Sequence, residues 1–293
     1  MKSRTVRLAC LGALAALFAT STPPAMAATE SATNGPLTAQ ISYSQGGSFV
    51  FKDVRITILR NGALLLDRKP NPICNFCVVW PGGGGEVDSV HALQLDSNPE
   101  PEAVFDLYSG GAHCCFYSLI FRYDPATNTY IGLRHEWFNA GYRFFDPEAD
   151  GIPEFLSRDD HFAYKYASYV GSQYPPQIWR YDAGQLLDVT RKYPSLVRRS
   201  ARNQLRKYKA GRGESDVRAV LAVFLADKCL LGDCASGFEV VLAARRRGYL
   251  GKQFTDFGPS GGRFVLNLRA FLFRLDYLNP PGAPDEPPHP GPG

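Results

Sequence analysis

Asp146-Pro147-Glu148-Ala149-Asp150-Gly151-Ile152-Pro153-Glu154, followed downstream by Ile178-Trp179-Arg180-Tyr181-Asp182, is the second writing of a passage that the chain has already used. The first writing carries Pro101-Glu102 and then Ile120-Phe121-Arg122-Tyr123-Asp124. The Pro-Glu pairs stand 52 residues apart and the I-[FW]-R-Y-D runs 58 apart, so the second copy is about six residues longer. A repeat of this length marks one supersecondary unit used twice, each unit burying a face against the next.

Oxygen-bearing side chains crowd the turn before each Pro-Glu. In the second copy they fall at positions 1, 3, 5 and 9 of the turn (Asp146, Glu148, Asp150, Glu154), with Gly151 at position 6 for the sharp bend and the Ile152 carbonyl as the backbone candidate. A hard cation such as Ca²⁺ takes about six to eight oxygens, which a tight loop of alternating carboxylates can wrap around one ion. Aligned on Pro-Glu, the first copy offers Gln94, Asp96, Asn98 and Glu102, a weaker set in which Pro99 replaces the glycine. Read without an ion, the same turns are solvated hairpins with Asp and Gly chosen for their geometry.

The D-x-[DE]-x-D-G-x-x-E turn between short strands, used repeatedly, resembles the FG-GAP or VCBS-type repeats of exported and cell-surface proteins. Gly110-Gly111-Ala112-His113-Cys114-Cys115, with the downstream I-[FW]-R-Y-D, resembles a group of bacterial exported proteins built on such repeats and without an assigned activity. The resemblance spans residues 86–190 and implies blade-like β-units stiffened by Ca²⁺. Two units are too few for a closed propeller of about four to eight blades.

Around this repeat the chain divides by composition. Residues 1–27 read as a signal peptide, with Lys2, Arg4 and Arg7 before the apolar run Leu8 to Ala19 and Ala25-Met26-Ala27 as the cleavage site. That run is too short to span a bilayer, and no later stretch is long and apolar enough. Residues 28–37 read as a flexible leader. Residues 38–80 form a small β-unit: alternation runs through Leu37, Ala39, Ile41 and Tyr43 and again through Val54, Ile56 and Ile58, and Asn61-Gly62 marks a hairpin. Pro81 to Gly85 reads as a hinge, since neither Lys-Ser/Thr nor a helix signal follows to make it a phosphate loop. Residues 195–278 carry about four helical patterns, and 279–293, with seven prolines, a disordered tail. The fold class is therefore α+β, predominantly β, ending in a helical region.

Six cysteines remain after signal removal: Cys74, Cys77, Cys114, Cys115, Cys229 and Cys234. An even count in an exported chain favours disulfides over a zinc site or a redox Cys-x-x-Cys. Cys229 and Cys234 bracket a turn. Adjacent cysteines rarely bond each other, so Cys114 and Cys115 are expected to pair with Cys74 and Cys77 in either order.

Signal removal brings the formal charge from +4 to about +1, which gives no global preference for nucleic acid. The exception is local. Arg191 to Arg212 holds nine Lys or Arg and no acid, and Arg198, Arg202, Arg206 and Lys209 recur along one helical face, a candidate anion-binding surface. No H-E-x-x-H is present, and His161 beside Asp159 and Asp160 has no identifiable nucleophile. The sequence is thus read as a secreted or periplasmic, non-catalytic binding or scaffold protein that contacts a cell-surface polymer or another protein. The alternative is an exported hydrolase of carbohydrate or phosphoester substrates.

Overall fold

The computed structural model describes residues 26–46, 50–82, 88–111, 114–254 and 258–278. The signal segment through residue 25, the hinge residues 83–85 and the tail 279–293 lie outside the described residues. The fold is α+β and mostly antiparallel β: three successive sheets followed by four helices.

The first sheet is a meander of β1 (Met26–Asn34), β2 (Leu37–Gln45), β3 (Phe51–Arg60) and β4 (Ala63–Arg68). Residues 28–37, expected as a flexible leader, instead supply β1 and the start of β2, registered from Ala28↔Tyr43 to Asn34↔Leu37. The reason is local: Gly35 takes the left-handed conformation (φ 52°) that a tight reversal requires. The Asn61-Gly62 hairpin forms as read, with both residues at positive φ. Leu37, Ala39, Ile41, Val54, Ile56 and Ile58 all point to one buried face, as period-two alternation demands.

The second sheet holds β5 (Trp80–Pro81), β6 (Val90–Leu93), β7 (Glu102–Gly111), β8 (Cys114–Asp124) and β9 (Thr129–Phe138). Pro81 therefore belongs to a strand, paired with Leu107, rather than to a hinge. The third sheet is β10 (Arg143–Phe145), β11 (Glu154–Arg158), β12 (Pro176–Asp182) and β13 (Gln185–Asp188). β6 to β9 and β10 to β13 are the same meander written twice.

The sheets stack. β7 is buried on both faces: Ala103, Phe105 and Leu107 join Leu37, Ile41 and Ile56 of the first sheet, while Val104 joins Phe155, Trp179 and Tyr181 of the third. The small N-terminal unit consequently shares its core with the first repeat. The repeated phrase explains the stacking. Phe121 and Tyr123 face the preceding sheet, and their counterparts Trp179 and Tyr181 face the sheet that precedes theirs. Ile120 faces the following sheet. Ile178, its counterpart, lies under the 3₁₀ turn Thr190–Lys192: its N–H donates to Thr190 Oγ1 (2.9 Å) and its carbonyl accepts the Val189 N–H (2.8 Å). Each fully buried aromatic contributes about 2–3 kcal/mol.

The helices are α1 (Pro194–Gly211), α2 (Arg218–Leu230), α3 (Cys234–Arg246) and α4 (Gly261–Arg274). Pro194 opens α1 at its first turn, where a missing N–H costs nothing. α2 is apolar almost all round and forms the centre of the helical core, into which Phe162 and Tyr166 reach from the β11–β12 connection. No helix among the described residues is long and apolar enough to cross a membrane.

Candidate functional site

The two acidic turns connect β6 to β7 and β10 to β11, at equivalent places in the two repeats. In the second, Asp146 is spent on the backbone: it accepts the N–H of Asp150 (3.2 Å) and of Gly151 (2.9 Å). Asp150 accepts the N–H of Ile152 (2.9 Å). Ala149 (φ 56°) and Gly151 (φ 83°) make the bend, as positions in a tight carboxylate-braced loop must. Glu148 and Glu154 converge on the Tyr193 hydroxyl, at 3.3 and 2.7 Å. Glu154 Oε2 is buried without a hydrogen-bond partner. Burial raises the Glu154 pKa, and the neighbouring Glu148 and Asp150 carboxylates push it further.

The first turn uses its oxygens differently. Asp96 accepts the N–H of Asn98 (2.8 Å) and, through its other oxygen, the N–H of Ala183 in the β12–β13 turn (3.0 Å). Asn98 accepts from Glu100 N–H (3.2 Å), and Gln94 donates to the Asp96 carbonyl (2.8 Å). Glu102 is 1% exposed and accepts the Leu95 N–H (3.0 Å). Burial lifts its pKa to about 8. Both turns therefore staple their sheet to whatever follows in the stack, Asp96 to Ala183 and Glu148 with Glu154 to Tyr193. As arranged, no three His, Cys, Asp or Glu among the described residues stand close enough together to hold a metal ion. The second turn still presents what a cation would relieve: mutually repelling carboxylates and an orphaned buried oxygen.

Between the second and third sheets lies a polar cluster that the sequence did not announce. Asp106 accepts from the Ser118 hydroxyl, from Tyr142 Oη (2.7 Å) and pairs with His91 Nε2 (3.1 Å), while Trp137 Nε1 donates to Ser118 Oγ (2.7 Å). Its members are strand-spaced polar residues inside aromatic runs, a signal indistinguishable from ordinary alternation. His161 Nδ1 bonds Asp159 (2.7 Å), whose other oxygen accepts Tyr277 Oη (2.8 Å). That orients the imidazole, and Asp159 raises its pKa. Among the described residues no hydroxyl or thiol is hydrogen-bonded to the ring.

The cysteine pairing departs from expectation. Cys74 is bonded to Cys77, not to Cys114 or Cys115, and Cys229 is bonded to Cys234 as expected. Cys115 is disulfide-bonded as well, and the Cys114 side chain lies outside the described residues. Local closure prevails because the Cys77 N–H already donates to the Cys74 carbonyl (3.1 Å), a turn that brings the two sulfurs together. Rings of four and six residues stabilise by only about 2 kcal/mol each in the chain-entropy treatment.

The basic stretch becomes α1, and Arg198, Arg202, Arg206 and Lys209 all lie on its exposed face, joined by Arg199 and Lys207. The opposite face buries Val197, Ala201, Gln204 and Tyr208. Residues 191–278 hold eighteen Lys or Arg against seven Asp or Glu, whereas residues 28–190 hold eleven against nineteen. The near-neutral total conceals a bipolar molecule, a signal that charge counted by region would have found.

No protein-family profile matches the chain, and no solved structure matches it. Two curated relatives do. A probable thylakoid lumen protein of Synechocystis sp. is 30% identical over 149 residues, covering 50% of this chain and 44% of its own length. An uncharacterized protein of Sinorhizobium fredii is 30% identical over 215 residues, covering 71% of this chain and 32% of its own length. The chain thus spans less than half the length of each relative it matches.

Proposed function

We propose that this is an exported, non-catalytic binding module whose basic helical end docks an anionic surface polymer or acidic partner, with the stacked β-repeats as its stiff support. The observation that carries the reading is the charge segregation, with six exposed cations along α1 and no acid between Arg191 and Arg212. Local disulfides and a lumen-named relative support an exported setting. The test is retention on an immobilised sulfated polysaccharide. Wild type should need markedly more salt for elution than R198A/R202A/R206A/K209A, because each lost contact reduces a screened attraction. Equal elution would remove the reading.

Within the same proposal, the repeats are FG-GAP-like units and the second turn takes Ca²⁺ through Glu148, Asp150 and Glu154, with Asp146 and the Ile152 carbonyl completing the loop. The orphaned Glu154 oxygen supports this. The first turn, with Asp96, Asn98 and Glu102 engaged internally, is the weaker ligand set. Millimolar Ca²⁺ should raise the wild-type melting temperature and leave Asp150→Ala unchanged; equal responses would exclude the site. The hydrolase alternative rests on the oriented Asp159–His161 pair alone, and the absence of wild-type hydrolysis across a phosphoester and glycoside panel would discard it.

A further inference from the structure

The Cys74–Cys77 disulfide sits in the open. Cys74, Asn75 and Phe76 are exposed, and Phe76 is 99% accessible. Two more exposed apolar side chains, Val78 and Val50, flank the same edge, linked through the contact between the Phe51 and Trp80 rings at 5.9 Å. Beneath them the aromatic row continues from Trp80 to Tyr108 (5.5 Å) and on to Phe116 (4.8 Å). The ring is anchored after Cys77 by the Val78 N–H, which donates to the Ser109 carbonyl of β7 (3.2 Å), and before Cys74 by Tyr117 Oη on the Asn71 carbonyl (3.5 Å) and by Ile73 packed on the β core. A turn hydrogen bond and these anchors would keep the loop in place without the sulfur bridge. An apolar, exposed surround is the opposite of what protects a structural disulfide. Cys229, 2% exposed in the helical core, shows the protected kind.

We propose that Cys74–Cys77 is a thiol–disulfide exchange site that oxidises cysteine pairs in extended, apolar polypeptide segments. A client thiolate attacks Sγ of Cys74, the more exposed cysteine of the pair, and the Cys74–Cys77 bond breaks with its electron pair leaving on Cys77 Sγ, which takes up a proton. The client's second thiolate then attacks the client sulfur held in the mixed disulfide, forming the client disulfide and releasing Cys74. Two electrons and two protons pass from the client dithiol to the cysteine pair. Reoxidation needs a disulfide-class oxidant, for which glutathione disulfide serves in the assay. Phe76, Val78 and Val50 supply the apolar ground on which an extended client lies.

The folded protein is equilibrated in a graded series of reduced and oxidised glutathione, quenched with a mass-tagged maleimide, and each cysteine is read by peptide mapping. Cys74 and Cys77 should open together at ratios that leave Cys229–Cys234 closed. With glutathione disulfide present, wild type should oxidise an apolar dithiol peptide about tenfold or more faster than Cys74→Ser. Phe76→Ser, which keeps both sulfurs, should slow oxidation of the apolar peptide more than it slows oxidation of dithiothreitol. Three results would each overturn the proposal: Cys74 mapped in a bond to another cysteine, both disulfides opening at the same ratio, or equal peptide oxidation by wild type and Cys74→Ser.

Discussion

Replacing Glu102 by Gln should stabilise this protein, and increasingly so as pH rises. The carboxyl is 1% exposed, its Oε2 accepts the Leu95 N–H, and burial lifts its pKa from 4.5 to about 8. A carboxyl whose folded pKa is raised stabilises the fold fully only below its unfolded pKa, and that contribution is lost as pH climbs to the folded value. The affected window is therefore about pH 4.5 to 8. Each pH unit inside it costs about 1.4 kcal/mol. At pH 7 the penalty comes to about 3 kcal/mol, or nearer 2 once water and backbone relax around the charge.

Gln has the shape of the protonated acid and retains an acceptor for Leu95, so the substitution removes the ionisation and little else. Urea denaturation of both proteins at pH 5, 7 and 8.5 reads the effect directly. The two unfolding free energies should nearly coincide at pH 5 and separate by about 2–3 kcal/mol at pH 8.5, with m unchanged. Parallel curves across the whole range, or a variant weaker at pH 8.5, would refute the reasoning. Calcium supplies a second axis. An ion in the first turn would need Glu102 charged, so at pH 8.5 Ca²⁺ would stabilise wild type more than Glu102→Gln, which keeps only the second turn.

Other positions yield to the same reasoning. A Cβ on Gly132 would stand 2.5 Å from Phe121 Cε1, under a ring that is 1% exposed, so Gly132→Ala should cost about 1–3 kcal/mol in urea unfolding. Tyr277→Phe removes the hydroxyl that Asp159 Oδ2 accepts at 2.8 Å; it should cost about 1–3 kcal/mol by thermal melting and shift the His161 titration followed by NMR. Asp227 is fully buried in α2, where neither oxygen makes a well-formed hydrogen bond and Ser200 is its nearby hydroxyl, and burial holds its pKa well above the carboxylate range. Asp227→Asn should match wild type near pH 4 and be the more stable of the two at neutral pH in urea titrations.

The sequence made some elements legible because their signals are local. Asn61-Gly62 can close only one kind of turn, and Leu37, Ala39, Ile41 alternate at a period that no helix shares. The four helices followed from apolar spacing. What stayed hidden depends on partners. The stretch Glu102 to Leu107 is buried throughout, and nothing in it says which side chains meet the first sheet and which the third. The leader became a strand because β2 needed a neighbour. The cysteines misled for a different reason: the expectation rested on Cys114 and Cys115 avoiding each other, whereas Cys74 and Cys77 pair across a four-residue turn already closed by a hydrogen bond. Charge misled through averaging, since two oppositely charged halves sum to little.

The divergence of the two acidic turns also follows from position in the stack. The first repeat is the middle layer, with a sheet on either side, so Glu102 at the head of β7 is sealed in and Asp96 is drawn to the turn of the next sheet. The second repeat is the last layer. Its following neighbour is not a sheet but the start of α1, which offers only the Tyr193 hydroxyl to Glu148 and Glu154. One donor cannot satisfy four carboxylate oxygens, and Glu154 Oε2 is left buried and unpaired. In an interior layer the repeat's oxygens become structural staples; at the end of the stack they are under-satisfied. Adding a following sheet would close the second turn as the first is closed. Tyr193→Phe separates these influences: it should raise the Glu154 pKa further, and with Ca²⁺ present it should strengthen the ion's stabilising effect, because the hydroxyl no longer competes for the same oxygens. Loss of calcium stabilisation in that variant would show instead that Tyr193 positions the ligands.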